Sequence, residues 1–508
     1  MTEIEPPLEP IRPKTVAGKG YFLRDVVKLL TGTTAAQIIT ILTAPLISRL
    51  FDPRAFGTLA IFVSLISIVG VIVCLRYEQA ILLPERDEEA VNIFALSLFI
   101  TLVISSIGLV IVFSGRKWLP ALLNAPELTP FLWLIPLSLL IQGIVYSFTN
   151  WHSRQKRFGH LSAARVSASF TTSAMPITLS FLHLNSASVL ITSWASGLLV
   201  TVSLLIQQVW TKDRLFLRQH ISWSGMKQGL VRYRKFPLVD IWGAFLNNLS
   251  WQLPSLMLSA YFSGEIVGFY SLSNRMILLP MTLVGGAVSQ VFFQRTAELR
   301  YDPEQLRITV EMVFRRLVAL GLMPIIVLIL NGQTLFRLIF GSQWAEAGVY
   351  AEILGAWLFF LFISSPMSTL FFVMEKQEQA FVLHLLILCS RLAALIIGGR
   401  TQNIYLTLGL WSGSGVFIYG GLTLWLLWVA GSSWRFAAAV MLRYGFYALP
   451  LTILLFLSSR YLTHQIFLNL ALLLILTGVY YLLVLHQEPA LRQLMMNWLR
   501  QRLPQLRK

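Results

Sequence analysis

Two arginines stand where a charge is expensive. Arg275 lies about nine residues into an apolar run at 266–291, and Arg391 about ten residues into another at 381–398. At 1.5 Å of rise per residue, Arg275 is roughly 13 Å from the nearer end of its run. A charge at the centre of a bilayer costs at least ~2.5–3.5 kcal/mol, so such a side chain faces a cavity or a partner. The guanidinium fork donates two parallel hydrogen bonds and matches phosphate and pyrophosphate oxygens. Ser271 and Asn274 precede Arg275, Pro280 follows it, and Arg391 shares a helical face with His384. The expected chemistry is therefore reception of an anionic ligand by Arg275 and Arg391. The alternative is internal pairing of each guanidinium with a carbonyl, or snorkelling to the interface.

Softer polarity runs along other helical faces. Thr33, Gln37 and Thr40 form one stripe, Ser138, Gln142 and Tyr146 a second, and Asn248 and Gln252, beside Asn247, a third. Each is spaced for one face of a helix. Each could line a water-filled lumen and meet sugar hydroxyls, and each could equally bond a neighbouring helix. Arg49, Arg76 and Glu78 sit at the ends of apolar runs. Arg49 is placed to guard one mouth of such a lumen, and Arg76 with Glu78 to form an interfacial pair. No catalytic constellation accompanies these residues. The histidines are 152, 160, 183, 220, 384, 464 and 486, and none has a partner at metal-ligand spacing. Cys74 and Cys389 are far apart in apolar stretches, which argues against a disulfide framework. No glycine-rich loop ends in Lys-Ser or Lys-Thr, so nucleotide hydrolysis is not expected, and no metal or cofactor is called for.

The elements that carry these residues follow from composition. Of 508 residues, 56% are hydrophobic and 12% charged, with mean hydropathy +0.69. Ordinary soluble domains are about 25% charged. A soluble enzyme, a disordered chain, a disulfide-built module and a nucleic-acid binder are all excluded. The fold expected is an all-α polytopic membrane protein of about fourteen transmembrane helices. Candidate spans fall at 29–50, 56–76, 90–113, 129–149, 164–182, 187–210, 238–261, 266–291, 317–335, 347–374, 381–398, 403–429, 444–462 and 466–485. With the N-terminus in the cytoplasm, loops on that side carry 31 Lys and Arg and the opposite loops 7. The positive-inside rule then puts both termini in the cytoplasm and explains the net charge of +17. Residues 1–28 form a cytoplasmic segment with no removed signal peptide expected. Spans 1–6 (29–210) and 7–12 (238–429) form two lobes joined by the basic linker 211–237. Two further helices follow at 430–485. The parity of six permits a parallel repeat with a cavity between lobes. Gln37, Pro45 and Gly57 are weakly echoed by Gln252, Pro254 and Gly268. In the tail 486–508, residues 489–508 read as an amphipathic basic helix on the inner leaflet.

Several segments resemble a known family, the polysaccharide transporter (oligosaccharide flippase) branch of the multidrug/oligosaccharidyl-lipid/polysaccharide exporter superfamily. They are Arg76-Tyr-Glu-Gln-Ala-Ile-Leu-Leu-Pro84 with the acidic run to Glu89, Arg154-Gln-Lys-Arg-Phe158, and Tyr233-Arg-Lys-Phe-Pro237. Gln252-Leu-Pro254, Val267-Gly-Phe-Tyr-Ser-Leu-Ser-Asn-Arg275 with Leu279-Pro280, and Phe340-Gly-Ser-Gln-Trp-Ala-Glu-Ala-Gly348 continue it. The resemblance implies two lobes working by alternating access in a bacterial inner membrane. It implies polyprenyl-pyrophosphate-linked glycans as substrates, moved to the periplasmic leaflet for O-antigen, capsule or exopolysaccharide synthesis. A downstream polysaccharide polymerase is the partner it suggests, with the phospholipid bilayer as surroundings. Arg275 matches the family's span-8 motif position. Related lipid-pyrophosphate flippases place cations in the first two helices. Here those spans hold none at mid-depth, so Arg24 and Lys28 would serve from the inner end of span 1.

Two other readings compete with this one. A cation-coupled drug or metabolite antiporter needs an intramembrane carboxylate, and the candidates Asp240 and Glu352 lie near span ends. A glycan polymerase or ligase needs a sizeable outer loop with acid and base residues, and no such loop exists. Arg275, Arg391, Asn274, Asn248, Gln252, Gln37, Gln142, Arg49 and Arg24 are accordingly the expected lining of a substrate cavity.

Overall fold

The computed structural model describes residues 19–279, 281, 285–461 and 466–488. Residues 1–18 and the expected amphipathic helix at 489–508 lie outside the described residues. Among the described residues all regular structure is helical. The helices that matter below are α1 (Lys19–Leu50), α2 (Pro53–Gly70), α3 (Tyr77–Ala80), α4 (Asp87–Gly115), α5 (Leu134–Arg154), α6 (Phe158–Ser180) and α7 (Ala187–Lys212). After the surface helix α8 (Trp223–Arg232) come α9 (Ile241–Tyr261), α10 (Gly264–Ile277), α11 (Gly286–Glu298) and α12 (Pro303–Phe340). The last are α13 (Ala345–Met367), α14 (Gln377–Arg400), α15 (Ile404–Val429), α16 (Trp434–Tyr461) and α17 (Ile466–Gln487).

A lipid-facing backbone must satisfy its own polar groups, which a helix does internally. At several helix starts a free N–H group is met by a local side chain. Asp52 accepts from Ala55 N at 2.7 Å ahead of Pro53, and Ser263 from Ile266 N at 3.4 Å. Asp302 accepts from Gln305 N at 3.1 Å and Asn403 from Leu406 N at 3.0 Å. These are N-cap positions.

Among the described residues, eleven helices are long and apolar enough to cross a membrane. The expected count of fourteen is not reached on that measure, and the shortfall has a physical cause. α6 and α9 are long enough, but Arg165 and a run of hydroxyl residues, and Asn247, Asn248 and Gln252, dilute their apolar character. The run at 266–291 is divided between α10, which ends at Ile277, and α11, which starts at Gly286. The helices that fall short are the polar ones, and they border the site described below.

Helices α1, α2 and α4–α7 pack among themselves, as do α9, α10 and α12–α15, while α16 and α17 lean on α12. The two groups meet through α2 against α9 and α10, and α1 against α12. One end of the bundle carries the Lys- and Arg-rich connections and is called the basic end here. Its connections are tied by charge. Arg157 bonds Asp213 through both nitrogens at 2.6 and 2.7 Å, and Trp151 Nε1 adds a bond to Asp213 at 3.0 Å. Arg154 donates to Asp87 and to the carbonyls of Ile81 and Pro84. The segment Arg154–Phe158 is thus a structural tie between helices rather than part of a lumen.

Candidate functional site

At the end opposite the basic one, the two lobes touch backbone to backbone. A Cβ on Gly57 of α2 would fall on the carbonyl of Gly264, and a Cβ on Gly268 of α10 would fall on the carbonyl of Pro53. Pro53 and Gly264 each open a capped helix, and Gly57 and Gly268 each lie four residues on. The contact is therefore reciprocal about a pseudo-two-fold axis, which gives the weak echo in the sequence a structural meaning. A latch beside it seals the same end. Trp344 Nε1 donates to the carbonyl of Ser48 at 2.6 Å, Gln343 to the same oxygen at 2.7 Å, and Ser48 Oγ to Phe340 O at 3.1 Å. Arg49 donates to the carbonyl of Leu338 at 2.7 Å. Arg49 thus joins the latch, and in this state it helps to fasten that end shut. The Phe340–Gly348 motif is the C-lobe half of this latch.

Below the glycine crossing, Arg275 continues the same face of α10. Residues 264, 268 and 275 of α10 fall within about 40° of one another on a helix. Arg275 is exposed and has no hydrogen-bond or ion-pair partner among the described residues. Ser64 holds the pseudo-equivalent place on α2, and it donates to Gln252 Oε1 at 3.1 Å. Leu279, one turn beyond Arg275, closes a ≈ 390 Å³ pocket in the other lobe. Thr33, Gln37 and Thr40 of α1 and Arg165, Ser169 and Thr172 of α6 line that pocket. Arg165 is exposed and donates to Thr33 Oγ1 at 2.7 Å. The stripe on α1 is thus zipped in part to α6, with Thr40 and Ser169 hydroxyls 3.0 Å apart, while Gln37 faces the space.

Arg165 is the residue that the sequence reading missed. A span expected over 164–182 puts Arg165 at its very edge, whereas α6 begins at Phe158 and puts Arg165 about 10 Å into the helix. The signal was available: Ser162, Arg165, Ser169 and Thr172 recur at three- and four-residue spacing, as one face of a helix does. Arg165 supplies a cation to the first lobe, two turns inside α6. Arg24 lies in the first turns of α1, and its side chain is outside the described residues.

Towards the basic end the lobes part around a ≈ 800 Å³ vestibule. Gly70, Arg76, Glu78, Tyr146 and Asn150 line it from one lobe, and Asn247, Asn248 and Trp251 from the other. Gln142 lies under it, 3.9 Å from where a Cβ on Gly70 would be. Asn248 and Gln252 also serve as ties between lobes, Asn248 donating to Ser67 O at 3.1 Å. Asn274 Oδ1 is buried without a partner. Arg76 spans the vestibule mouth, with Nε 2.8 Å from Asp240 and Nη1 3.7 Å from Glu78. The expected Arg76–Glu78 pair is present, and Asp240 turns it into a bridge between lobes.

Glu78 is buried with one carboxylate oxygen unpartnered. Burial pushes its carboxyl from 4.5 up to about 7; Asp240 adds to the rise and Arg76 offsets part of it. An acid raised in the folded state costs nothing below its unfolded value and destabilises as pH climbs towards its folded value. Wild-type protein should therefore lose thermal stability between about pH 5 and pH 8, and Glu78→Gln should lose less. Parallel melting curves of the two in one detergent decide this; equal slopes would contradict the assignment.

Arg391 is placed elsewhere. It is 3% exposed and held inside the second lobe. Nη1 donates to the carbonyl and hydroxyl of Ser250 at 3.0 and 2.9 Å. The guanidinium carbon stacks 4.7 Å from Trp251, 5.2 Å from Trp411 and 5.8 Å from Trp357. In this state the internal pairing that competed with ligand reception describes its contacts. A desolvated cation–π contact is worth about 2 kcal/mol, so three rings offset much of the cost of the buried charge.

Comparison with known proteins bears on the family and the fold. The model of a family described as polysaccharide biosynthesis protein matches residues 46–349. The succinoglycan biosynthesis transport protein ExoT of Rhizobium meliloti (strain 1021) is 24% identical over 368 residues, 70% of this chain and 68% of that protein. The amylovoran biosynthesis protein AmsL of Erwinia amylovora is 25% identical over 224 residues, 41% of this chain and 55% of that protein. Among solved structures, the lipid II flippase MurJ in an inward closed conformation superposes with TM-score 0.67 at 12% identity, covering 90% of this chain and 100% of that one. An inward-facing multidrug resistance MATE transporter of the MOP superfamily gives TM-score 0.62 at 15% identity, over 79% of this chain and 94% of that one. At such identities the two structures establish the fold.

Proposed function

Because this chain belongs to the polysaccharide biosynthesis protein family, a group of polytopic membrane proteins with the MOP flippase fold, we propose that it is a flippase for polyprenyl-pyrophosphate-linked oligosaccharide. The observation that carries the reading is Arg275, an unpartnered guanidinium on the interlobe face of α10, one helical turn from the pocket that holds Arg165 and Gln37. Two cations from two lobes suit a pyrophosphate, which offers oxygens on both sides. The ≈ 800 Å³ vestibule, lined by amides, hydroxyls and an indole, takes the glycan, and the polyprenyl tail stays in lipid between the lobes. The state described, latched at one end and parted at the basic end, is the loading state. Rocking the lobes about the α2–α10 crossing would transfer the headgroup to the other leaflet. The excess of Lys and Arg at the basic end supports a cytoplasmic location for that end and for both termini, and export from the cytoplasmic to the periplasmic leaflet of a bacterial inner membrane.

The antiporter reading finds less support. Of its carboxylates, Asp240 is bridged to Arg76 and Glu352 accepts from Gln333 N at 2.7 Å. Native mass spectrometry of the protein purified from a polysaccharide-producing strain tests the choice. A retained polyprenyl-pyrophosphate glycan is the expected result. Its absence, together with saturable binding of an organic cation, would overturn the flippase reading.

A further inference from the structure

Trp251 is gripped from one side and open on the other. It is half-buried, it lines the vestibule, and its ring carries the Arg391 guanidinium at 4.7 Å. The same guanidinium bonds both polar atoms of Ser250, the preceding residue. Arg391 therefore fixes the backbone and the ring at two consecutive positions of α9. Trp357 and Trp411 stand 5.8 and 5.2 Å from the same guanidinium carbon, so the arginine is confined among three rings. No carboxylate forms an ion pair with it among the described residues, and its Nη2 is buried and unpartnered. A purely structural role would be filled as well by an apolar side chain, which carries no charge to desolvate. The outcome of this costly arrangement is one indole, immobilised, with a face towards the cavity. Amides and hydroxyls surround that face: Asn247 and Asn248 one turn before Trp251 on α9, and Tyr146 and Asn150 across the gap on α5.

We propose that Trp251 is a sugar-stacking platform for the glycan of the lipid-linked substrate, and that Arg391 is the residue that positions it. The inference rests on the flippase reading and names a subsite within it. The C–H bonds on one face of a pyranose are the positive partner that suits the negative face of an aromatic ring. Its hydroxyls radiate from the edge of the sugar, where amide and phenol groups can donate and accept. A ring already held by its neighbours loses little freedom on binding, so the contact favours the bound state more than a loose side chain would. Stacking of this kind recognises the ring and not one stereochemistry of it, which fits a vestibule built to pass an oligosaccharide.

The test uses the detergent-purified full chain and native mass spectrometry with two probes. One is undecaprenyl pyrophosphate; the other is the same lipid bearing a neutral hexose tetrasaccharide. The wild type is expected to bind the glycosylated probe about tenfold more tightly than the bare lipid. Trp251→Ala should lose that increment and bind the bare lipid unchanged, and Trp251→Phe should keep most of it. Arg391→Met should lose the increment too, although Trp251 is still present; a merely structural role would weaken both probes alike. An increment that survives in Trp251→Ala, or bare lipid bound by wild type with no increment from the glycan, would overturn the platform and leave the flippase standing. Failure of wild type to bind either lipid would instead sink the flippase reading, and the platform with it.

Discussion

An Arg275→Ala variant is expected to insert and fold like wild type and to export polysaccharide about a hundredfold more slowly. The guanidinium makes no hydrogen bond or ion pair with the described residues, so removing it leaves no protein group unpaired. What is lost is its pairing with the headgroup. Truncating one partner of a close charge pair costs about 2–5 kcal/mol, and a central value of ~3 kcal/mol is about two decades in rate. Arg275→Lys should recover only part, because lysine keeps the charge and loses the two-pronged fork. Arg391→Ala provides the contrast. It removes a buried side chain from between three tryptophans and should lower the melting temperature, which Arg275→Ala should not. Export measured in a strain deleted for the native gene, beside melting curves of the purified variants, separates the two. Full export by Arg275→Ala would remove the arginine from the substrate path.

Gly268→Ala is expected to cut export at least tenfold through one added methyl group. A Cβ there meets the carbonyl of Pro53 in the other lobe, and both groups are helix backbone that cannot rotate aside. The helices must separate, and the sealed end loses the contact that closes it. Alanine favours a helix over glycine by ~1 kcal/mol, so local propensity predicts the opposite, a harmless or stabilising change. Gly243→Ala in α9, where a Cβ meets nothing within 4 Å, is the matched control and should export normally. Gly57→Ala should reproduce the defect from the other side of the pseudo-two-fold. The double variant should be little worse than either, since both break one crossing. The shift can be read directly. With Cys74 and Cys389 replaced, a cysteine at Ser64 should react with an impermeant maleimide from the latched side faster in Gly268→Ala than in wild type. Unchanged labelling with normal export would mean that the crossing does not gate access.

The two arginines divide what the chain's chemistry decided from what its folding decided. Composition, hydropathy runs and charge bias are local and summed properties, so membrane residence, helicity and the family motifs were legible without a structure. Arg275 and Arg391 look alike in sequence, each an arginine deep in an apolar run. Only packing separates them: one follows Gly268 down an interlobe face, and the other meets Trp251, Trp357 and Trp411 from three different helices. Those ring contacts join Arg391 to residues 140, 34 and 20 positions away along the chain, and no periodicity encodes them. Arg165 was hidden for a smaller reason, a helix start misplaced by six residues, since hydropathy fades where a helix turns polar. The crossing of Gly57 and Gly268 needed both kinds of information. Sequence supplied two glycines at echoing positions, and tertiary structure showed that each exists to let the other lobe's backbone pass.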